Sequence, residues 1–505
     1  MKPTRRSFLQ RSAEVSAVAG LADLAGLNRL PAVAAQDAQM PRNWAAVASD
    51  VEPLVRMLED TPRNRVIEVA AERVRGGTSY QALLAAVTLA GVRGIRPRPV
   101  GFKFHAVLAI NAAHLASLAS ADRDRWLPLF WAFDAFKSSQ EQNRTQGDWH
   151  MPALEANRIP DGAQAGRRFR EAMDHWDESA ADAAVAAWAR TAGINEIYEA
   201  MWRYGARDFR DIGHKAIFAA NSYRTLSAIG SRHAEPILRS LAFAMLEHEG
   251  TNPADRDDDK DRPWRDNIRR AGTIRADWRQ GRVSAEASTA LLASIRQATP
   301  GDASQEVVRL LNDHIDPQSI WDGLFLGATE MLMRQPGIVG LHCVTSMNAL
   351  HFAYMTSADD ETRRMMMLQG ASFLPMFLAS MRGRGQVPAN PRIDVFEPAE
   401  GTPHNDDVFT DIGRDKLSAS RKALKILQAD PNAATSLMAQ ARRLVFCKGN
   451  DAHDYKFSSA SLEDYFHVSP NFRNRVLAGN VFWLKGSGGA DTEVCRRTRE
   501  ALNRA

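Results

Sequence analysis

Four histidines stand at related positions in the two halves of this 505-residue chain. His105 and His342 each follow a proline by six residues, and partners lie 109 residues further on at His214 and 111 residues further on at His453. Neutral imidazole nitrogens are ligands for iron, copper and zinc. Histidines related by a twofold repeat can converge between helices, so the spacing predicts one central metal site to which each half contributes two histidines.

The repeat is visible in a gapless alignment of residues 99–122 with residues 336–359, in which ten of 24 positions are identical. Chance similarity between two alanine-rich helices would match alanines rather than histidines, an asparagine and an aspartate. We therefore interpret the alignment as an internal duplication, with pseudo-repeats at about 60–250 and 300–480. The identical pairs are Pro99/Pro336, His105/His342, Val107/Val344, Asn111/Asn348, Ala112/Ala349, His114/His351, Ala116/Ala353, Ser120/Ser357, Ala121/Ala358 and Asp122/Asp359.

Each repeat carries a second histidine nine residues after the first, at His114 and His351. Nine residues correspond to about 900° of rotation, which puts the two histidines on opposite faces of a straight helix. One ion cannot bind both unless the helix is broken between them. We therefore select His105 and His342 as ligands and assign His114 and His351 to packing or to support of the ligands.

Helices must position these residues, because apolar residues recur at helical spacing along most of the chain and no alternating pattern indicates a sheet. The acidic segment 250–266 and the proline-containing segment 384–410 are predicted loops. We expect an all-α fold, with one large helical domain over residues 36–505 built from two duplicated halves around the histidine site. The predicted helices cover residues 43–59, 65–75, 79–92, 104–119, 123–138, 180–190, 214–229, 236–248, 284–297, 304–313, 318–333, 340–355, 361–381, 414–428 and 433–445.

Residues 1–35 have the features of a bacterial export signal. Residues 4–10 (TRRSFLQ) resemble the twin-arginine motif, and Ala32-Val33-Ala34 offers a small-residue cleavage site. The stretch between them is too short and polar to span a bilayer, so we expect export by the twin-arginine machinery to the periplasm or beyond, without membrane insertion. This route carries folded proteins, which favours a cofactor bound before export.

The net charge of +4 does not indicate a nucleic-acid partner. Residues 1–35 carry +3 of it and the rest of the chain only +1, so no basic surface is left to follow a phosphate backbone. Walker A, GxSxG and HExxH motifs are absent from the sequence, which disfavours nucleotide enzymes and serine hydrolases. The three cysteines allow at most one bridge, and we expect each to be a small buried apolar residue.

Three short segments resemble the questin oxidase-like family. Residues 213–217 (GHKAI) are similar to its Gly-His-x-x-Ile helix, residues 341–346 (LHCVTS) to its His-x-Val-Thr-Ser segment, and residues 451–456 (DAHDYK) to its Asp-x-His-x-x-Lys segment. The segment around His105 is similar to the family's first histidine helix. The resemblance implies a helical enzyme that oxidises polycyclic aromatic substrates with dioxygen at a non-haem iron, held by four histidines and a carboxylated lysine.

Carried onto this sequence, the resemblance implies Fe²⁺ as the metal. The implied metal-binding and catalytic histidines are His105, His214, His342 and His453, and the implied modified lysine is Lys456. The family often has a second histidine four residues after the one that matches His214, where this chain has Phe218. An export signal is also unlike the fungal enzymes of the family, so the substrate is not transferred.

Charge balance predicts an anionic ligand independently of the family resemblance. Four neutral imidazoles leave the charge of a divalent ion uncompensated in a low-dielectric interior. Lys456 follows His453 by three residues, on the same helical face, where its carbamate would supply a negative charge. The alternatives are that Lys456 extends to the surface, and that the anion is a nearby carboxylate such as Glu330, Asp454 or Glu463.

Together these observations predict an exported non-haem metal oxidoreductase that uses dioxygen on a small organic substrate, with iron as the first choice and copper or zinc as alternatives. Two other functions stay open. One is a non-catalytic exported scaffold whose histidines only cap and pack helices, and the other is a zinc-dependent hydrolase. His233 and the aromatic residues of 126–133 could line a substrate pocket, although packing is the default for large side chains at helical spacing.

Overall fold

The computed structural model describes residues 44–430 and 432–503, and within them it contains helices and no strand. The prediction of an all-α fold is confirmed. Two isolated β-bridges occur in these residues, between Trp44 and Pro152 and between Arg282 and Ile315. The predicted twin-arginine motif and cleavage site lie outside the described residues.

The helices are numbered in chain order. They are α1 (Glu52–Asp60), α2 (Val66–Arg75), α3 (Tyr80–Gly94), α4 (His105–Leu108), α5 (Ile110–Leu118), α6 (Leu127–Thr145), α7 (Gly162–Asp174), α8 (Glu178–Thr191), α9 (Ile194–Ala206), α10 (His214–Ile229), α11 (Ala234–Met245), α12 (Arg262–Ala271), α13 (Ala285–Ile295), α14 (Pro300–Asn312), α15 (Pro317–Arg334), α16 (Ile338–Thr356), α17 (Asp360–Arg382), α18 (Asn405–Asp411), α19 (Lys416–Ala429), α20 (Ala433–Lys448), α21 (Ala452–Asp464), α22 (Arg473–Asn480) and α23 (Glu493–Asn503). Two short 3₁₀ turns, Phe102–Phe104 and Arg210–Gly213, lead directly into α4 and α10.

Helix α16 lies at the centre of the bundle. Its residues from Val339 to Ala353 are buried with the single exception of Phe352. It packs against α10, α15, α17 and α21. A helix that is apolar on all sides is stable only when neighbours cover it, so this surround explains why α16 forms and why His342, near its start, lies in the interior.

Helices α4, α5, α10 and α21 close around the same region, because α21 packs on α4, α5 and α16, and α10 packs on α4, α5 and α16. The first residue of α4 is His105 and the first residue of α10 is His214. Helix α21 begins at Ala452 because the carboxylate of Asp451 accepts the backbone N–H groups of the next turn. The starts of α4, α10 and α21 therefore bring His105, His214 and His453 toward His342 on α16.

The two segments of the predicted repeat differ in backbone. Residues 338–356 form one continuous helix, whereas the matching segment is divided into a 3₁₀ turn, α4 and α5, with an interruption at Ala109. The prediction of one helix over 104–119 is therefore wrong at that residue, and the duplication stays a prediction.

A single apolar cluster runs from Val51 before α1 to Ala501 in α23. Helix α23 packs on α2 and α6, which ties the end of the chain to its first helices. Among the described residues, no helix has both the length and the apolar character needed to cross a bilayer.

Candidate metal centre

Three of the predicted ligands share one small space in the interior. The ligand nitrogens of His105, His214 and His342 all lie within 4.8 Å of one another. The Nε2 atoms of His105 and His214 are 2.8 Å apart, and the rings of His214 and His342 have centres 4.2 Å apart. These three histidines can hold a metal ion.

A backbone carbonyl selects the tautomer of each neutral imidazole. A carbonyl oxygen only accepts hydrogen bonds, so each Nδ1 carries the hydrogen and each Nε2 is left with a lone pair. All three imidazoles are thereby assigned the tautomer that binds a metal through Nε2. The acceptors are the carbonyl oxygens of Phe102 for His105 (2.8 Å), of Asp211 for His214, and of Ile338 for His342 (2.6 Å).

His105 and His214 are held by the same local arrangement. In each case the accepting carbonyl belongs to the residue three positions earlier, and that residue has a left-handed backbone, with φ of 52° at Phe102 and 53° at Asp211. Such conformations cost of order 1–3 kcal/mol at non-glycine residues and are found where the surrounding structure imposes them. The strained backbone turns each carbonyl toward its histidine.

The loop before His214 also depends on a glycine. Gly213 has φ of +83°, and a Cβ atom added there would lie 2.1 Å from Oγ of Ser346 on α16. Only glycine combines this conformation with so close an approach. The glycine lets the end of the loop lie against α16, so that His214 faces His342.

The three rings are arranged for a cation. Two Nε2 lone pairs that face each other at 2.8 Å repel, unless a proton or a metal ion lies between them. Burial lowers the pKa of His105 and of His214 well below the usual value, and the nearby Lys456 lowers both further. Burial and the neighbouring His214 lower the pKa of His342 in the same way. A proton is therefore a poor partner for this nitrogen set, and a metal ion fits it.

His453 lies beside the three histidines. Its ring centre is 4.3 Å from that of His105 and 5.2 Å from that of His342. Its Nδ1 atom is 3.3 Å from a carboxylate oxygen of Asp451, and its Nε2 atom is buried without a hydrogen-bond partner among the described residues. The fourth predicted histidine thus reaches the site with a free nitrogen, although it does not belong to the set of three nitrogens within 4.8 Å.

Asp451 is a site residue that the spacing analysis did not assign a role. Partial desolvation alone would raise its pKa, but the hydrogen bonds that the carboxylate accepts from the ring and the backbone N–H of His453 outweigh this effect and lower the pKa to about 2. The carboxylate is therefore ionised, and it both caps α21 and orients His453. In the sequence, the role of Asp451 is indicated only by its place as the first residue of the Asp-x-His-x-x-Lys segment at 451–456.

Lys456 is buried, with 3% of its surface exposed, and its Nζ atom is 3.2 Å from Nε2 of His342. The alternative that Lys456 extends to the surface is therefore wrong. Burial lowers the pKa of the amine to about 7, against the opposing charge of Asp451. The amine thus lies against the histidine cluster and has an appreciable neutral fraction near pH 7.

The three carboxylates considered as alternative anions are already paired with basic residues. Their charges are thereby balanced by partners other than the histidines. The pairs are Glu330 with Arg296 (2.6 Å), Asp454 with Lys485 (2.8 Å) and Glu463 with Arg224 (2.6 Å).

The remaining histidines lie elsewhere. Nδ1 of His114 is 3.2 Å from the hydroxyl of Tyr80, and the ring of His351 packs 4.8 Å from that of Trp321. His233 is buried beside Arg232 and does not line the cavity described below.

A cavity of about 690 Å³ opens over the histidines, whose rings form part of its wall. Trp131 on α6 also lines the cavity, with its ring stacked on that of Tyr455 at 3.7 Å, and Phe102 and Ile338 supply apolar groups that are 77% and 37% exposed. Polar groups alternate with these surfaces, among them Gln142 and the ion pair of Arg63 with Asp134. The volume is that of a site for an organic molecule.

Comparisons with known protein families, with curated proteins and with solved structures find no match to this chain. The resemblance to the questin oxidase-like proteins therefore stays a prediction, which rests on the short segments that carry the histidines and Lys456.

Proposed function

We propose that this chain is a questin oxidase-like, non-haem metal oxidoreductase that binds iron(II) and uses dioxygen to oxidise an organic molecule in the adjoining cavity. The observation that carries the proposal is the set of three clustered imidazoles, the half-buried His105 and the buried His214 and His342, each assigned the Nδ1–H tautomer with Nε2 as the free ligand nitrogen. A non-catalytic scaffold has no need of three unprotonated nitrogens directed at one point.

His453 and Lys456 complete the proposed ligand set. His453 is oriented by the Asp451 carboxylate, the arrangement that fixes metal-bound histidines in many sites. The neutral amine of Lys456 can react with carbon dioxide, which forms an N–C bond and releases one proton. The resulting carbamate would balance part of the charge of the ion. Glu330, Asp454 and Glu463 are not available for this role, because each is paired with a basic side chain.

Iron(II) bound here would supply the one-electron chemistry that dioxygen requires and that redox-silent zinc does not offer. The side chains of the cavity would bind and orient the substrate. Trp131, Phe102 and Ile338 would supply apolar contacts to an organic substrate in the cavity. Gln142 and the Arg63–Asp134 pair provide hydrogen-bond partners that would set the orientation of a polar group on the substrate.

We further propose that residues 1–35 direct export through the twin-arginine machinery to the periplasm or the outside of the cell. This route would allow the metal to be inserted before export. Fusion of these residues to a reporter protein, with Arg5→Lys and Arg6→Lys together as the control, tests the proposal through the location of the reporter. Export that is unaffected by the double substitution would contradict it.

The function is tested by loading metal-free protein with iron(II) or zinc(II) and measuring dioxygen uptake with a panel of polycyclic phenols. We expect uptake with iron only, lost in His342→Ala and retained in His351→Ala, which changes a buried histidine of the same helix. Hydrolysis of a panel of esters by the zinc-loaded protein, without dioxygen uptake by the iron-loaded protein, would instead support the zinc hydrolase.

A further inference from the structure

A second cluster of metal-ligating or nucleophilic groups lies at the end of α20 and the start of α23. The Sγ atoms of Cys447 and Cys495 and a carboxylate oxygen of Asp491 lie within 4.8 Å of one another. The two cysteines are 48 residues apart in the sequence. The third cysteine, Cys343, is buried in α16, where its thiol contacts the sulfur of Met331 at 3.7 Å.

Both cysteines are buried, with 5% of Cys447 and 3% of Cys495 exposed, but they differ in their position relative to a cavity. Cys447 lines a cavity of about 560 Å³, whereas Cys495 does not line it. Nη2 of Arg499 donates to Sγ of Cys447 at 3.3 Å. An arginine that donates to a thiol sulfur stabilises the thiolate form, so Cys447, the cysteine that lines the cavity, is the one prepared for nucleophilic attack.

The cavity beside Cys447 is predominantly basic. Its basic lining residues are Arg123, Arg442, Arg443, Lys448 and Arg499, and its acidic lining residues are Asp124, Asp406 and Asp491. Asp491 is paired with Arg499 at 2.9 Å and with Lys448 at 3.4 Å. Arg442 is half-buried and has no ion-pair partner among the described residues. The excess of positive charge suits an anionic ligand.

The same charges argue against a metal ion between the two sulfurs and Asp491. Arg499 and Lys448 already neutralise the Asp491 carboxylate, and both would repel a cation. The hydrogen bond from Cys495, followed by the charge of Arg499, lowers the pKa of the Cys447 thiol to about 7, while the same hydrogen bond and burial raise the pKa of Cys495. In dithiol exchange sites, the cysteine that the substrate can reach ionises first and its partner ionises later. Cys447, which lines the cavity, and Cys495, which does not, follow this order.

We propose that Cys447 and Cys495 form a thiol–disulfide exchange site, and that the substrate is a low-molecular-weight disulfide carrying carboxylate groups, bound in the basic cavity. Cys447 is the attacking residue and Cys495 is the resolving residue. Arg442 is a binding residue for the carboxylates. The proposal does not depend on the metal centre.

The exchange proceeds in two balanced steps. The thiolate of Cys447 attacks one sulfur of the small disulfide, so that a mixed disulfide forms and the first small thiolate leaves. Cys495 then attacks Sγ of Cys447 as its proton passes to a departing thiolate, so that the internal S–S bond forms and the second small thiolate leaves. Two protein thiols are oxidised, and one small disulfide is reduced to two thiols. The bond joins α20 to α23.

The test uses the reduced full chain under anaerobic conditions, incubated with glutathione disulfide, quenched with acid and mapped by mass spectrometry of its peptides. We expect a disulfide-linked peptide pair containing Cys447 and Cys495 in the wild type and in the control Cys343→Ser. In Cys495→Ser the reaction should stop at a glutathione adduct on Cys447. In Cys447→Ser no linked pair forms.

Absence of the linked pair in folded wild-type protein, or a first adduct on Cys495, would overturn the proposal. Zinc bound to the reduced wild type and lost in Cys447→Ser would overturn it in favour of a metal site. The substrate charge is tested with Arg442→Gln, which should slow the reaction of glutathione disulfide several-fold and leave that of uncharged 2-hydroxyethyl disulfide unchanged. Equal slowing with both reagents would exclude an anionic substrate.

Discussion

Nε2 of His105 and Nε2 of His214 face each other at 2.8 Å, although each ring is held in the tautomer that places a lone pair on that atom. The two residues are 109 positions apart in the sequence and begin two different helices. Their approach is imposed by strained turns and close packing rather than by attraction between the rings. A bound cation would convert this repulsion into coordination.

Without metal, the protein should lose stability in mild acid. The pKa values of His105, His214 and His342 are lowered in the folded state, so below the ordinary value of 6.5 the unfolded chain binds protons that the folded chain does not. Each such histidine can lower the free energy of unfolding by about 1.4 kcal/mol per pH unit. Urea unfolding of metal-free protein between about pH 7 and pH 5 measures this dependence. His214→Gln should make it shallower, the exposed control His175→Gln should not, and an unchanged slope in His214→Gln would contradict the expectation.

Lys456 should destabilise the metal-free protein below pH 7. The folded pKa of about 7 lies below the ordinary 10.5, so the cost of burying the ammonium is complete below pH 7 and disappears as the pH rises to 10.5. Lys456→Met should therefore raise the free energy of unfolding at low pH by an amount on the order of 4 kcal/mol. The gain should shrink at high pH, and the exposed control Lys260→Met should show none. An equal gain at both pH values would mean that packing, not charge, is responsible.

Gly213→Ala should disturb the site through the backbone. Its φ of +83° and the 2.1 Å approach to Oγ of Ser346 leave no room for a methyl group. We expect a loss of about 1–3 kcal/mol in the free energy of unfolding, together with weaker metal binding. Gly193→Ala is the matched control, because nothing lies within 4 Å of a Cβ atom there. Addition of Ser346→Gly should restore part of the loss, and a Gly213→Ala protein as stable as Gly193→Ala would contradict the prediction.

Asp451→Asn should weaken metal binding without unfolding the protein. Asparagine retains the ability to cap α21, but it removes the negative charge that orients His453. Loss of such a supporting carboxylate typically lowers metal affinity about 10- to 100-fold. Competition with a chelator measures the change. Asp454→Asn, which removes a carboxylate bound to Lys485, is the control. Equal metal affinities of the wild type and both variants would show that Asp451 does not support metal binding.

Apolar periodicity predicted the helices that form the core. Helix α16 was expected over 340–355 and spans Ile338–Thr356, and α17 was expected over 361–381 and spans Asp360–Arg382. The pattern gave no helix over α21, because the buried face of α21 includes polar residues such as Lys456, Ser458 and Ser461. A search for apolar residues cannot recognise a buried face that is made of polar residues.

The sequence predicts which histidines cluster, but not the backbone groups that hold their rings in place. Nothing in the residue types of Phe102 or Asp211 indicates a left-handed backbone with a carbonyl directed at a histidine. The proximity of Cys447 and Cys495 likewise depends on the packing of the last helix, which no short motif encodes. Helices α7, α9, α12, α18, α22 and α23 were also missed, and for α12 and α18 a loop was expected over part of the same residues.

The most direct test of the account is the metal content of the protein purified without added metal, measured together with two variants of helix α16. The wild type should contain about one tightly bound transition-metal ion per chain. His342→Ala should lose it, whereas His351→Ala, a buried histidine nine residues further along the same helix, should keep it. A stable wild-type protein free of metal, or equal loss in both variants, would contradict the metal centre.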